Sequence, residues 1–459
     1  MEVSDALLQK YNVPVPRYTS YPPANHFTGA VTPDDYINQL ENSNQGSPEH
    51  IALYIHIPFC RKICYYCGCN ACSIGNGHLV APYMDALKKE ISVVAGHLDQ
   101  NRMVSQIHYG GGTPNAIDPS WISGLNELIN NRFRFISNPE IAMECHPAYL
   151  DREYIASLGR AGFNRISIGI QDLNPEITGR LNREPPVMPV SEMIGLLRNS
   201  GQDVRVNLDF IYGLPGQTVE SFAETIAGAI ALKPDRLVTF SYAHVPWLKK
   251  HQMILEKKGL PPPEIKMKMF LAAYDLLKSA GYRSIGLDHY VLPGDELDTA
   301  LVNNELHRNF QGYCTRRTTG QVYAFGVSAI SQLEKGYFQN TKDIPAYVDA
   351  IGKGRLAVER GYMLSGNQGI IRQVITTLMC NKRINWIEQA AMLNIEPADL
   401  RNIMRIDDGK LQEFERDGLI RLTEEEIRIT EPGSLFIRNI AASIDPAFTE
   451  QFHRYSKSV

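Results

Sequence analysis

From about residue 50 the chain alternates short apolar runs with stretches in which apolar side chains recur every three or four positions, the pattern of β/α units and a parallel sheet. The strand candidates are 52–59, 104–112, 140–145, 165–172, 204–213, 236–245 and 283–291, and seven such runs suit a barrel. Between the first two, Tyr83, Leu87, Ile91, Val94 and Leu98 share one face of a helix that starts near Pro82. A second crossover helix starts near Asp151, turns Tyr154 and Leu158 inward and stops at Gly162, a residue free to take the left-handed cap conformation. The expected fold class is α/β, a partial (β/α)6-type barrel.

From about residue 350 the alternation fades and helical patterns take over, with Ile370, Val374 and Leu378 on one face. A short helix ending at Gly418, then 419–422 and 427–430 joined by an acidic turn, reads as a winged-helix-like end. The expected division is an N-terminal arm over 1–45 with little periodicity, a barrel with its extension over 46–345, and a mostly helical C-terminal domain over 346–459.

The polar residues gather where the predicted strands end: Tyr109 to Pro114, Glu144 to Pro147, Gln171 and Asp172, Asp209, and Ala243 with His244. In barrels the carboxyl ends of the strands form the active-site rim, so catalysis is sought there.

Composition narrows the function classes. A net charge of -4 gives no basic footprint, and 405–431 hold nine acids against five bases, so the wing lacks attraction for phosphates and nucleic acid is not the expected partner. The first residues, MEVSDALLQKYN, lack the basic start and apolar core of a secretory signal, and no apolar run approaches the ~18 residues that span a bilayer. A cytoplasmic, reducing setting without a membrane partner is expected, and a monomer. There eight cysteines do not read as disulfides, and five of them (Cys60, Cys64, Cys67, Cys69, Cys72) fall within 60–72, which points to metal.

Cys60, Cys64 and Cys67 follow a predicted strand with three and then two residues between them. Three thiolates on a four-iron cube leave one iron open to a ligand. A structural zinc site is the competing reading, but zinc favours two separated ligand pairs or a downstream His pair, and neither follows. Cys72 reads as a small apolar thiol. Gly110-Gly111-Gly112-Thr113-Pro114 would let backbone approach a ligand closely. Glu144 and Asp209 at strand ends can accept from hydroxyls or an ammonium group; the competing reading is an ion pair with Arg183 or Arg205. His56, His108 and His244 are read as neutral hydrogen-bonded side chains, none an iron ligand.

The cysteine loop resembles that of radical S-adenosylmethionine enzymes. There the methionine moiety of the cofactor chelates the open iron of a [4Fe-4S] cluster, and cleavage yields a 5′-deoxyadenosyl radical. The likeness extends along nearly the whole chain. Pro16-Arg17-Tyr18-Thr19-Ser20-Tyr21-Pro22, His56-Ile57-Pro58-Phe59-Cys60, Cys67-Gly68-Cys69-Asn70, the glycine run, Asp209-Phe210-Ile211-Tyr212-Gly213-Leu214-Pro215, Tyr242-Ala243-His244 and His307-Arg308-Asn309-Phe310-Gln311-Gly312-Tyr313 resemble the oxygen-independent coproporphyrinogen III oxidase family.

That resemblance implies a radical SAM barrel that removes two propionate carboxyls of coproporphyrinogen III to leave vinyl groups, giving protoporphyrinogen IX in anaerobic haem biosynthesis. It implies two S-adenosylmethionine molecules, an external electron donor and a terminal acceptor. Carried over by position, Tyr54, Gly111 and Glu144 contact the first molecule, with Tyr54 and Glu144 also assigned to catalysis. Tyr66, Gly112, Thr113, Gln171, Arg183, Asp209, Ala243 and Ile330 lie around the pair. The arm and the helical C-terminal domain are suited to act as lids against water, and Arg17 to meet a substrate carboxylate. One departure stands out: the family usually reads Glu-Val-Asp-Pro where this chain has Glu144-Cys145-His146-Pro147. It leaves open two alternatives on the same fold, a radical enzyme that methylates and opens haem, and a haem chaperone.

Overall fold

Six of the apolar runs form strands because each is apolar enough to be covered on both faces, as a parallel sheet requires. They are β1 (Ile51–Ile57), β2 (Val104–Gly111), β3 (Phe135–Cys145), β4 (Arg165–Gln171), β5 (Arg205–Tyr212) and β6 (Arg236–Ser241). In this computed structural model, which describes residues 3–46, 50–201, 203–315, 321–448 and 455, they lie side by side in chain order and all parallel. Helices over Val80–His97, Pro119–Arg132, Arg152–Arg160, Val190–Arg198 and Val219–Ala231 make the crossovers. The expected capping is present: Asp151 accepts from the Tyr154 N–H at 2.8 Å, and Gly162 has φ +83°.

Two expectations about strands need correction. The first run, 52–59, breaks at Pro58, which has no N–H to give the ladder, and a separate two-residue strand, Phe59–Cys60, pairs with Cys72–Ser73. The run 283–291 is a hairpin, β7 (Arg283–Gly286) and β8 (His289–Val291), with β8 antiparallel to β6.

Beyond β1 the sheet continues where no strands were expected. A parallel β9 (Val322–Phe325) flanks β1, followed by antiparallel β10 (Ile330–Leu333), β11 (Gly336–Asn340) and β12 (Val358–Met363). Among the described residues this makes one twelve-stranded sheet. Its last strand lies beyond residue 350, and a helix over Ile344–Gly352 straddles 345/346. Glu90 ties the extension to the barrel: buried on the helix 80–97, it accepts from Gly326 N–H (2.8 Å), Asn340 Nδ2 (2.7 Å) and Tyr347 Oη (2.6 Å). Tyr83 donates to the His56 carbonyl at 2.6 Å and accepts from Val327 N–H at 3.1 Å, which holds 326–330 against the end of β1.

The C-terminal region packs helices over Gln368–Asn381, Trp386–Leu393, Pro397–Met404 and Asp408–Arg416 with a three-stranded antiparallel sheet of 383–385, 426–429 and 420–422. This is a winged-helix-like arrangement. Residues 1–2 of the expected arm and 449–454 and 456–459 of the expected C-terminal domain lie outside the described residues.

The arm is more ordered than its sequence pattern suggests. A capping box at Thr32 and Asp35 opens the helix Pro33–Ser43. Upstream, the arm is stapled to the C-terminal region: Arg438 donates to the Pro16 carbonyl at 3.0 Å and to that of Val15, and Tyr18 and Tyr21 each donate to Asp445 at 2.9 Å. Arg360 on β12 donates to the Ala24 and Phe27 carbonyls at 2.9 Å. Arg438→Met would leave two buried carbonyls without this donor and should cost about 2–3 kcal/mol. A lowered thermal midpoint together with earlier proteolytic cleavage within residues 11–30 checks it; an unchanged midpoint would contradict it.

Candidate active site

The loop that carries the cysteines leaves the end of β1 at Pro58 and runs against the end of β2. Contact is close because the strand there has no side chains. Gly112 N–H donates to the Ile57 carbonyl at 2.8 Å and Thr113 N–H to that of Phe59 at 3.0 Å. A Cβ on Gly112 would lie 2.6 Å from the Pro58 carbonyl oxygen, and one on Gly111, at φ +116°, 2.8 Å from the His56 ring. The run thus brings Thr113 Oγ1 within 3.3 Å of Cys60 Sγ.

Cys60, Cys64, Cys67, Cys69 and Cys72 are thiols outside any disulfide. Cys60 and Cys64 are buried, and burial pushes the Cys60 thiol up to about 12. A hydrogen bond from Cys69 pulls Cys67 down to about 6. Arg183 reaches Cys64 Sγ at 3.6 Å, donates to Tyr66 Oη at 2.9 Å, and is fixed by the Gly169 carbonyl. Among the described residues no three His, Cys, Asp or Glu side chains are placed to share a single metal ion. Three thiols on one loop, with hydrogen-bond donors aimed at two sulfurs, fit a cluster site.

Beside the loop, register sets Tyr54 opposite His108 and Glu144 opposite Ser167. Tyr54 donates to or accepts from His56 Nδ1 at 3.1 Å, and His56 Nε2 lies 3.0 Å from the Asn70 carbonyl. His108 Nε2 is 3.1 Å from Glu144 Oε1. Asp209 accepts from Ser167 (2.6 Å) and Asn207 (2.8 Å), and burial lifts its carboxyl to about 6. Among the described residues neither carboxylate has an arginine partner; Arg205 instead lies 3.8 Å from Asp295. Gln171, a buried residue with left-handed φ of +71°, sits at a bulge between β4 and β5, a conformation that non-glycine residues adopt at a cost.

Two cavities meet at Glu144. One of about 120 Å³ runs into the barrel past His108, Ser167, Asn207 and Asp209. The other, about 390 Å³, is bounded by Tyr54, His56 and Ile330 on one side and by Arg17, Asp288 and Arg308 on the other. Of the expected site residues, Tyr66, Gly111, Gly112, Thr113, Gln171, Arg183 and Ala243 line neither; Ala243 is exposed past the end of β6.

The structure adds residues to which the sequence assigned no role. His289 lines both cavities, its Nδ1 2.7 Å from Asp288 Oδ1. Burial raises the Asp288 carboxyl, but His289, Arg308 and Arg17 outweigh it and leave it below the usual range. Arg308 lies over the Tyr313 ring at 5.3 Å, donates to the Arg17 carbonyl at 3.3 Å, and keeps its Nε buried without a hydrogen-bond partner among the described residues. An adjacent Asp-His pair inside an apolar run was the available signal.

His146 does not enter either cavity. It is buried, stacks on Tyr149 at 4.8 Å between ring centres, and its Nδ1 accepts from Ala148 N–H at 3.1 Å, capping the turn Pro147–Tyr149. Burial, then the nearby Arg183, lowers it to about 2, so it is the neutral acceptor an aspartate would otherwise supply.

Gly112→Ala should push the cysteine loop off β2. The expected result is iron and sulfide content below half that of the unaltered protein after anaerobic reconstitution, with the fold retained by circular dichroism; full loading would contradict the close approach.

A family model described as the radical SAM superfamily matches residues 54–227. An oxygen-independent coproporphyrinogen III oxidase of Synechocystis sp. is 39% identical over 446 residues, covering 97% of this chain and 95% of the relative. One of Escherichia coli is 38% identical over 444 residues, covering 96% and 94%. The solved Coproporphyrinogen III oxidase (HemN) from Escherichia coli, described as a radical SAM enzyme, has a TM-score of 0.86 and 34% identity, covering 98% of this chain and 100% of that one. With likeness of this extent in both sequence and fold, the chain belongs to the oxygen-independent coproporphyrinogen III oxidase family of radical SAM enzymes.

Proposed function

We propose that this protein removes two propionate carboxyls from coproporphyrinogen III as carbon dioxide, leaving the vinyl groups of protoporphyrinogen IX. The observation that carries this reading is one cavity that joins the cysteine-loop end of the barrel, at Tyr54, His56 and Glu144, to a cationic end at Arg17 and Arg308. A tetra-acid needs such an end, and full-length likeness to curated coproporphyrinogen III oxidases favours this reading over haem opening or haem carriage.

Cys60, Cys64 and Cys67 would hold a [4Fe-4S] cluster, which with S-adenosylmethionine supplies the carbon radical that takes a hydrogen atom from the propionate. The chain's own residues bind and orient. Thr113 and Arg183 donate toward the thiolates of Cys60 and Cys64. Gly111, Tyr54 and Glu144 form the wall for one S-adenosylmethionine, with Glu144 as acceptor for its polar groups. Asp209, whose carboxylate faces the inner cavity, and Ile330 on the outer one support room for a second molecule, while Tyr66, Gly112, Thr113, Gln171, Arg183 and Ala243 are assigned around the pair by the family likeness alone. Arg17, Thr19 and Phe310 close the outer cavity and keep water from a reactive carbon. The unpartnered Nε of Arg308 is a donor ready for a spectator propionate.

Per propionate, one hydrogen atom, one carbon dioxide and one electron leave the substrate, so the reaction takes an external electron donor for the cluster and a terminal acceptor for the last electron. The protein is expected to act as a monomer in the cytoplasm.

Anaerobically reconstituted, reduced protein given S-adenosylmethionine and coproporphyrinogen III should yield, by mass spectrometry, two successive losses of one carboxyl plus one hydrogen. Coproporphyrinogen returned unchanged while haem is consumed would replace this reading with haem opening. Arg308→Gln should raise KM for coproporphyrinogen by about tenfold or more, the loss of one charge-assisted hydrogen bond, while cleavage of S-adenosylmethionine without substrate continues.

A further inference from the structure

The proposed reaction requires an electron from outside, and one surface segment combines the features of a place to receive it. Residues 247–258 pass directly over the cysteine loop. Lys249 Nζ donates to the Cys69 carbonyl at 2.6 Å, His251 Nε2 lies 2.9 Å from that of Cys67, and Gln252 Nε2 donates to that of Tyr66 at 2.9 Å. The segment is anchored from beneath: Gln252 and Leu255 are buried, and Gln252 Oε1 accepts from Val245 N–H at 2.7 Å. Its outer side is apolar. Trp247 is 73% exposed and Leu248 72%, the most exposed large apolar side chains among the described residues, and Met253 and Ile254 add to them. Single exposed apolar residues mean little, but four within eight positions on a rigid support form a patch.

The patch is also basic. In a chain of net charge -4, residues 247–258 carry four lysines (Lys249, Lys250, Lys257, Lys258) against one acid, Glu256. Lysines do not hold the cluster, and none of these reaches the two cavities. Lys249 and Lys258 bond to the Cys69 and Arg180 carbonyls, and Lys250 and Lys257 are exposed in the same segment as the apolar residues; such a surface complements an acidic protein, in which charges steer encounter and a buried Trp anchors it. Electron transfer falls steeply with distance, and no other part of the fold need intervene between this segment and the loop it hydrogen-bonds.

We propose that this surface docks an acidic, low-potential one-electron carrier protein, which is oxidised by one electron as the cluster is reduced by one. The proposal rests on the radical reading of the cysteine loop but not on the identity of the porphyrinogen.

The test compares the unaltered reconstituted protein with a Trp247→Ser, Lys250→Glu, Lys257→Glu triple variant, using reduced flavodoxin as the acidic carrier and dithionite as a small chemical reductant. Carrier binding is followed by calorimetry at low and high salt, and cluster reduction by loss of visible absorbance. The variant should bind the carrier roughly tenfold or more weakly, with a flattened salt dependence, and be reduced correspondingly slowly by it, while dithionite reduces both proteins alike. Equal carrier binding and reduction in the two proteins would overturn the proposal. So would an equal loss with dithionite, which would make the segment a support for the cluster rather than a dock. A failure of the porphyrinogen reading would appear only in product analysis and would leave these readouts unchanged.

Discussion

The site depends on one close approach of backbone to backbone. The glycine run at the end of β2 lets the chain after Pro58 lie against it, and the bonds from Gly112 and Thr113 to the Ile57 and Phe59 carbonyls fix the start of the cysteine loop on the sheet. Any Cβ at Gly112 would meet the Pro58 carbonyl at 2.6 Å. The loop is attached where β1 is paired in parallel on both sides, with β2 and β9. That contact places the start of the loop and sets Thr113 against Cys60, while Arg183 is held separately by the Gly169 carbonyl.

A second constraint works from the other end of the chain. Arg438 and Asp445 hold the arm around Pro16 and Tyr21, and Arg360 holds it at Ala24 and Phe27, so that Arg17 is delivered to the outer cavity. Burial, then repulsion from Arg17 and Arg308, lowers Arg438 to about 9, and burial, then Arg17, lowers Lys266 to about 8. Asp288 is the carboxylate that offsets this charge, and a substrate bearing several carboxylates would offset it further.

The sequence made the barrel legible because each of its six strands contains a short apolar segment set between helical patterns, and it made the cluster loop legible because cysteine spacing constrains a site within one loop. It concealed β9 to β12 because those strands are short and bury polar residues such as Ser331 and Asn340, which bond to Tyr36 and Glu90 far along the chain. The hairpin at β7 and β8 was hidden by a turn, Leu287-Asp288, that interrupts an apolar run without glycine or proline. His146 drew attention as a lost carboxylate, yet its position in the fold asks only for a hydrogen-bond acceptor, which a neutral imidazole provides. Arg308 and His289 became visible as cavity residues only when the two ends of the barrel were brought together.

The central claim is that hydrogen passes from a propionate held between the cysteine-loop end and the cationic end of one cavity. It is tested most directly by supplying coproporphyrinogen III deuterated along its propionate chains, under anaerobic reduction, and measuring the isotope in the 5′-deoxyadenosine formed. Deuterium in 5′-deoxyadenosine, appearing in step with vinyl product, is the predicted result. Vinyl product accompanied by unlabelled 5′-deoxyadenosine would contradict it.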